Sequence, residues 1–252
     1  MTKFRNTAAL SAAVILSAGI AQANVTINFE NGYTDNEELS DNEVLLDSSG
    51  VASIVSIFTQ NANTMSVEAS GDSSASATDE APDGFVNDPL GDPNNDIATG
   101  SQTPGLGNFF LRTTEALNVS LTPLNPVFTL KFSKNVLKAD GEIWDIDGNG
   151  SQGTEKWDVI ARLADGTTET ITSPEHDDTS DTGSLNGQPW KFAFAGSGEI
   201  ESIDFFFRGT KTEGIGVAFD NLNVSPVPLP AGVLLLGLGL GGLAIYRRRQ
   251  AG

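Results

Sequence analysis

A two-residue rhythm constrains this chain more than any other feature. Phe128, Leu130 and Phe132 alternate with Thr129 and Lys131, and Trp157, Val159, Ala161 and Leu163 fall on one side of a later segment. Trp190, Phe192 and Phe194 repeat the pattern, as do Ile203, Phe205 and Phe207. Side chains two apart share a face only in extended backbone, so each run predicts a strand with one buried face. Asn24 to Phe29, Val44 to Leu46, Val51 to Phe58, Asn108 to Arg112, Glu169 to Thr172 and Gly216 to Val224 add weaker strands. Asp-Gly pairs predict tight hairpin turns at Lys138-Ala139-Asp140-Gly141 and Ala164-Asp165-Gly166. About a dozen short strands between Gly, Pro and Asp turns, with no helical pattern outside the two ends, predict an all-β sandwich.

The ends differ from the middle. Lys3 and Arg5 precede an apolar stretch from Ala8 to Ile20, and Ala21-Gln22-Ala23 forms an A-x-A site, the pattern of a cleaved secretory signal peptide. Mature protein would begin at Asn24. The 202 residues from Asn24 to Ser225 suit one β domain. They hold nine basic against 33 acidic side chains, a net of −24, because the other five basic residues lie in the two ends. Such a charge repels nucleic acid and anionic lipid and suits a divalent cation. Cysteine is absent, so no disulfide staples the exported domain. Two stretches lack a periodic apolar face and are expected to be acidic loops: Ser70 to Gly100, with seven acids and no Lys or Arg, and Ser173 to Gly187.

The C-terminus reads Pro226-Val227-Pro228-Leu229-Pro230-Ala231-Gly232, then an apolar run from Val233 to Tyr246, then Arg247-Arg248-Arg249. Prolines keep the first part extended and poor in backbone donors. Ala231 to Tyr246 would make about 24 Å of helix against a hydrocarbon core of ~30 Å, a marginal span that five glycines weaken further. The arginines hold the following end in the cytoplasm and leave the domain outside. This tail resembles the PEP-CTERM class of bacterial sorting signals in its Val-Pro-Leu-Pro-Ala form, carried by Val227, Pro228, Leu229, Pro230 and Ala231. The resemblance implies a Gram-negative producer. It also implies an exosortase-type transpeptidase that reads the motif and removes the membrane helix. An uncut C-terminal anchor is the alternative.

One loop offers metal chemistry. Asp145, Asp147 and Asn149 at alternate positions, followed by Gly150, match the first half of an EF-hand loop. The match then fails, because Lys156 stands at the twelfth position and the acid, Glu155, comes one residue early. The flanks also read as strands. The loop is therefore either a Ca²⁺ site between strands or an Asx-rich turn bonded to its own backbone. Strict alternation puts Asp220 on the face of Leu222 and Val224, where a carboxylate needs a hydrogen bond, an ion pair or a metal. A bulge near Asn221 would instead turn it outward. The metal candidates are thus Asp145, Asp147, Asn149, Glu155 and Asp220.

Catalytic signatures are missing. His176 is the only histidine and lies in an acidic loop, which leaves a Ser-His-Asp triad without a framework. No nucleotide-binding fingerprint occurs, and no carboxylate pair is marked out for glycoside hydrolysis. Of the tryptophans, Trp157 and Trp190 alternate with core residues, which leaves Trp144 as the freer stacking surface for a sugar. The pattern around Trp144 to Trp157, with the closing Phe219-Asp220-Asn221-Leu222, resembles extracellular jelly-roll, lectin-like domains found ahead of PEP-CTERM tails. The expectation is a non-enzymatic protein of the cell surface or exopolysaccharide matrix, anchored in the inner membrane until processed. A calcium-dependent carbohydrate-binding module is the second reading, and a matrix polysaccharide hydrolase the third.

Overall fold

The computed structural model describes residues 23–59, 65–69, 107–113, 125–144, 146, 153–175, 189–211 and 218–228. They form eleven strands: β1 (Val25–Ile27), β2 (Glu37–Leu39), β3 (Glu43–Leu46), β4 (Ala52–Thr59), β5 (Met65–Ala69), β6 (Phe109–Thr113), β7 (Phe128–Trp144), β8 (Trp157–Leu163), β9 (Thr168–Thr172), β10 (Trp190–Phe207) and β11 (Ala218–Pro226). The described part is all-β, and its strands pair antiparallel in the order β2-β5-β6-β11-β7-β10-β8-β9. Outside that path β1 pairs with β11, and β4 joins β3 to β7.

This sheet curls over itself. In a flat sheet β8 would lie ~14 Å from β11, three strands away at ~4.8 Å each. Yet the Trp157 ring of β8 stands edge-on to Phe219 of β11 with centroids 5.3 Å apart. Phe205 of β10 is likewise edge-on to Phe219 at 5.5 Å and stacks on Phe128 of β7 at 4.3 Å. The faces that alternation marked as apolar therefore meet in one core, where Ile27, Ile57, Val67, Phe128, Trp157 and Phe205 are buried.

The long strands correct the sequence reading in two places. Asp140-Gly141 is not a turn, because β7 runs straight through it. Gly141 instead lies opposite Phe192, whose ring covers it so closely that a Cβ would stand 2.7 Å from ring Cζ. The glycine serves packing, and β-structure continues because both neighbouring strands pair with this stretch. In the same way the runs at 190–194 and 203–207 belong to one strand, β10. Their inward residues switch from even to odd numbers, and register shifts on either side of Ile200, with Gly196 and Gly198 at positive φ, absorb the switch. The other expected turn is present. Leu163 N donates to Thr167 O at 2.9 Å, Gly166 has φ 85°, and Asp165 accepts from Thr167 N and Oγ1. Those bonds hold the Asp165 carboxyl below its usual pKa.

The first and last strands close the fold together. Val25 pairs with Val224 and Ile27 with Leu222, and Ser225 Oγ bonds Asn24 Oδ1 at 2.8 Å. Although β11 is last in sequence, it lies between β6 and β7. The strands belong to one compact unit, Ala23–Val227.

Candidate functional site

Pairing partners in antiparallel strands point to the same side. Phe219 pairs with Leu111 and Ile143, all three in the core, so their chain neighbours face the other way. That second face carries Phe110 and Arg112 on β6, Glu142 and Trp144 on β7, and Ala218 and Asp220 on β11, all buried. Phe110, Trp144 and Ala218 form an apolar cluster separate from the main core. On β5, Ser66 and Glu68 share this side, and the Ser66 hydroxyl bonds the Glu68 carboxylate. A buried carboxylate must be met by donors, and Glu142 has three. Lys191 Nζ lies 2.8 Å from its Oε1, while Asn221 Nδ2 and Trp144 Nε1 donate to Oε2 at 2.8 and 3.2 Å.

Asp220, opposite Glu142 in the register, is less well served. Asn221 N donates to its Oδ1 at 2.7 Å, and Gly107 N reaches its Oδ2 at 3.4 Å. Burial pushes its carboxyl up to about 8, the two backbone bonds oppose this, and the charges of Glu142 and Glu30 add to it. Glu30 reaches the same region because Phe29, at φ 56°, turns the chain sharply after β1. Its carboxylate accepts from Asn108 N at 2.6 Å and Asn108 Nδ2 at 2.9 Å. At neutral pH this corner thus tends to keep a proton on Asp220, or calls for a positive charge beside it.

The expected site residues fare differently. Asp145, Asp147, Asn149 and His176 lie outside the described residues, as do Ala21, Leu229, Pro230, Ala231 and Arg247 to Arg249. Asn221 carries the bulge considered from sequence, with φ 52° and a register shift between Asp220 and Asn223. Asp220 nonetheless stays buried, on the face opposite Leu222, because the bulge sits between them. Glu155 is fully buried, and Lys211 Nζ lies 2.9 Å from its Oε1. Asp220 and Glu155 therefore answer to different partners. Among the described residues no three His, Cys, Asp or Glu side chains are placed to hold a metal ion. Trp144 is not the free tryptophan expected, being 1% exposed with its Nε1 bonded to Glu142. Ala23 and Pro228 are exposed, and Val227 N donates to Asn135 O at 3.1 Å.

Sequence reasoning missed Glu30, Glu142, Glu68 and Arg112. The signal for Glu142 was its place two residues before Trp144, which predicts a shared face. Another missed group is Asp204, buried outside the core, where Thr129 Oγ1 and Arg162 Nε donate to it at 2.6 Å each.

No family model matches the chain, and no curated protein matches it. Among solved structures, it is similar to one described as a DUF4465 family protein from Bacteroides caccae, with a TM-score of 0.47 and 10% sequence identity. That match covers 82% of this chain and all of the other.

Proposed function

We propose that this chain is an exported, non-enzymatic protein of the cell surface or extracellular matrix, released from an inner-membrane precursor by an exosortase-type enzyme. What supports the reading is where the folded unit stops. It runs from Ala23 to Val227, that is, from the last residue of the expected signal-peptidase site to the first residue of the Val-Pro-Leu-Pro-Ala motif. Pairing of β1 with β11 brings those two boundaries to the same place, so trimming both ends leaves every described strand whole.

The jelly-roll reading of the all-β fold belongs to this proposal, as does a role within exopolysaccharide. Buried charges inside the domain are matched by internal donors at Glu142, Asp204 and Glu155. Among the described residues Glu38, Asp41, Asp140, Asp165, Glu199 and Glu201 are exposed. A highly acidic, disulfide-free domain of this kind stays soluble among anionic polymers and associates with them through divalent cations. Intact-mass measurement on protein released from cells is the test. The expected masses begin at Asn24 and lack Arg247 to Arg249, and Pro228→Ala with Pro230→Ala leaves precursor in the inner membrane. Released protein that still carries the arginines would refute the processing.

A further inference from the structure

Strand β9 ends the sheet, and among the described residues it pairs only with β8. Thr168, Thr170 and Thr172 are exposed, and the five residues contain no proline or glycine. Three β-branched threonines and an isoleucine make it a strong pairing template. Its other two side chains point to the core side. Ile171 pairs with Val159 and packs against the core, while Glu169 pairs with Ala161, which is itself fully buried. Glu169 therefore holds a position where the pattern asks for an apolar residue. Its Oε2 is buried and, among the described residues, has no hydrogen-bond partner. An unsatisfied buried carboxylate oxygen destabilises the domain.

We infer that β9 is an edge able to pair with β9 of a second copy of this chain, and that the inward carboxylate of Glu169 prevents it. In the two-fold antiparallel pairing Thr170 would face Thr170 of the second copy, and Glu169 would face Ile171. Each carboxylate would then be pressed against an isoleucine on the core side and lose the water still reaching the edge. Inward-pointing charge is an established way for an edge strand to avoid adding to another sheet.

Because the chain has no cysteine, Thr170→Cys supplies a single thiol at the would-be two-fold axis. The full chain is purified in detergent micelles and mildly oxidised, with Glu169 retained or replaced by Val or by the near-isosteric Gln. A parallel set carries Val51→Cys instead. Val51 is 59% exposed and lies just before β4, away from β9 in sequence, so its thiol reports random collision. In the Thr170→Cys set, Glu169→Val is expected to raise disulfide-linked dimer roughly tenfold or more over the chain that keeps Glu169. Glu169→Gln should give a smaller increase, and the Val51→Cys set should not change. Equal cross-linking in the Thr170→Cys set with Glu169 and with either replacement would overturn the inference. An increase of the same size in the Val51→Cys set would overturn it too.

Discussion

Replacing Asp220 by Asn removes a carboxyl that the fold holds against its preference for charge. Its pKa is about 8 in the folded protein against an ordinary value of 3.8, with burial as the main cause. Between those two values the native state keeps a proton that the unfolded chain has released. Stability must therefore fall as pH rises through that window and level off above about 8. Integrated to pH 7, the loss is on the order of 4 kcal/mol. Asn keeps the shape and the acceptor for Asn221 N, but gives up the 3.4 Å bond from Gly107 N, worth about 1 kcal/mol. The net expectation is a stabilisation of roughly 3 kcal/mol at pH 7, or a Tm higher by about 6–12 °C for a domain of this size. Calorimetry from pH 4 to 9 in EDTA is the assay. The gap between Asp220→Asn and the parent should be smallest near pH 4 and widen with pH. A variant less stable than the parent at pH 7, or a gap independent of pH, would refute the reasoning.

Three further outcomes are expected. Lys211→Met takes the ammonium away from the fully buried Glu155 and should cost about 3 kcal/mol in urea denaturation, with much of it recovered in the double variant with Glu155→Gln. Gly141→Ala places a Cβ 2.7 Å from the Phe192 ring and should destabilise by about 1–3 kcal/mol, an effect that Phe192→Leu should lessen in a double-mutant cycle. If Asp145, Asp147 and Asn149 bind Ca²⁺, the protein melts higher in millimolar calcium than in EDTA, by about 2.7 kcal/mol at a hundred times Kd, and Asp147→Ala abolishes that difference. Identical melting in both solutions at matched ionic strength would leave the loop a turn.

The strands themselves were legible in the sequence, because alternation is a local property. Trp157 to Leu163, its turn at Asp165-Gly166 and the strand after it stand where the pattern puts them. So do Phe128 to Phe132 and the aromatic runs of β10. Strands β2 and β5 were not anticipated. β2, Glu37-Glu38-Leu39, offers too few residues to show a period, and β5 buries both faces, which erases alternation. The charged second face was hidden for the same reason. Glu68, Arg112 and Glu142 are buried although they lie on the side of their strands away from the main core.

What the sequence determined by itself was periodicity, turn chemistry and charge: an all-β chain with apolar faces spaced two residues apart. Only the tertiary structure decided which face each residue takes once a strand is bulged. A single inserted residue at Asn221 reverses the sides, and separates Asp220 from Leu222 although they are two apart. It also decided that Gly141 continues a strand, because the ring that covers it comes from β10, about fifty residues away along the chain. Such choices depend on partners distant in sequence, and local propensity holds no record of them.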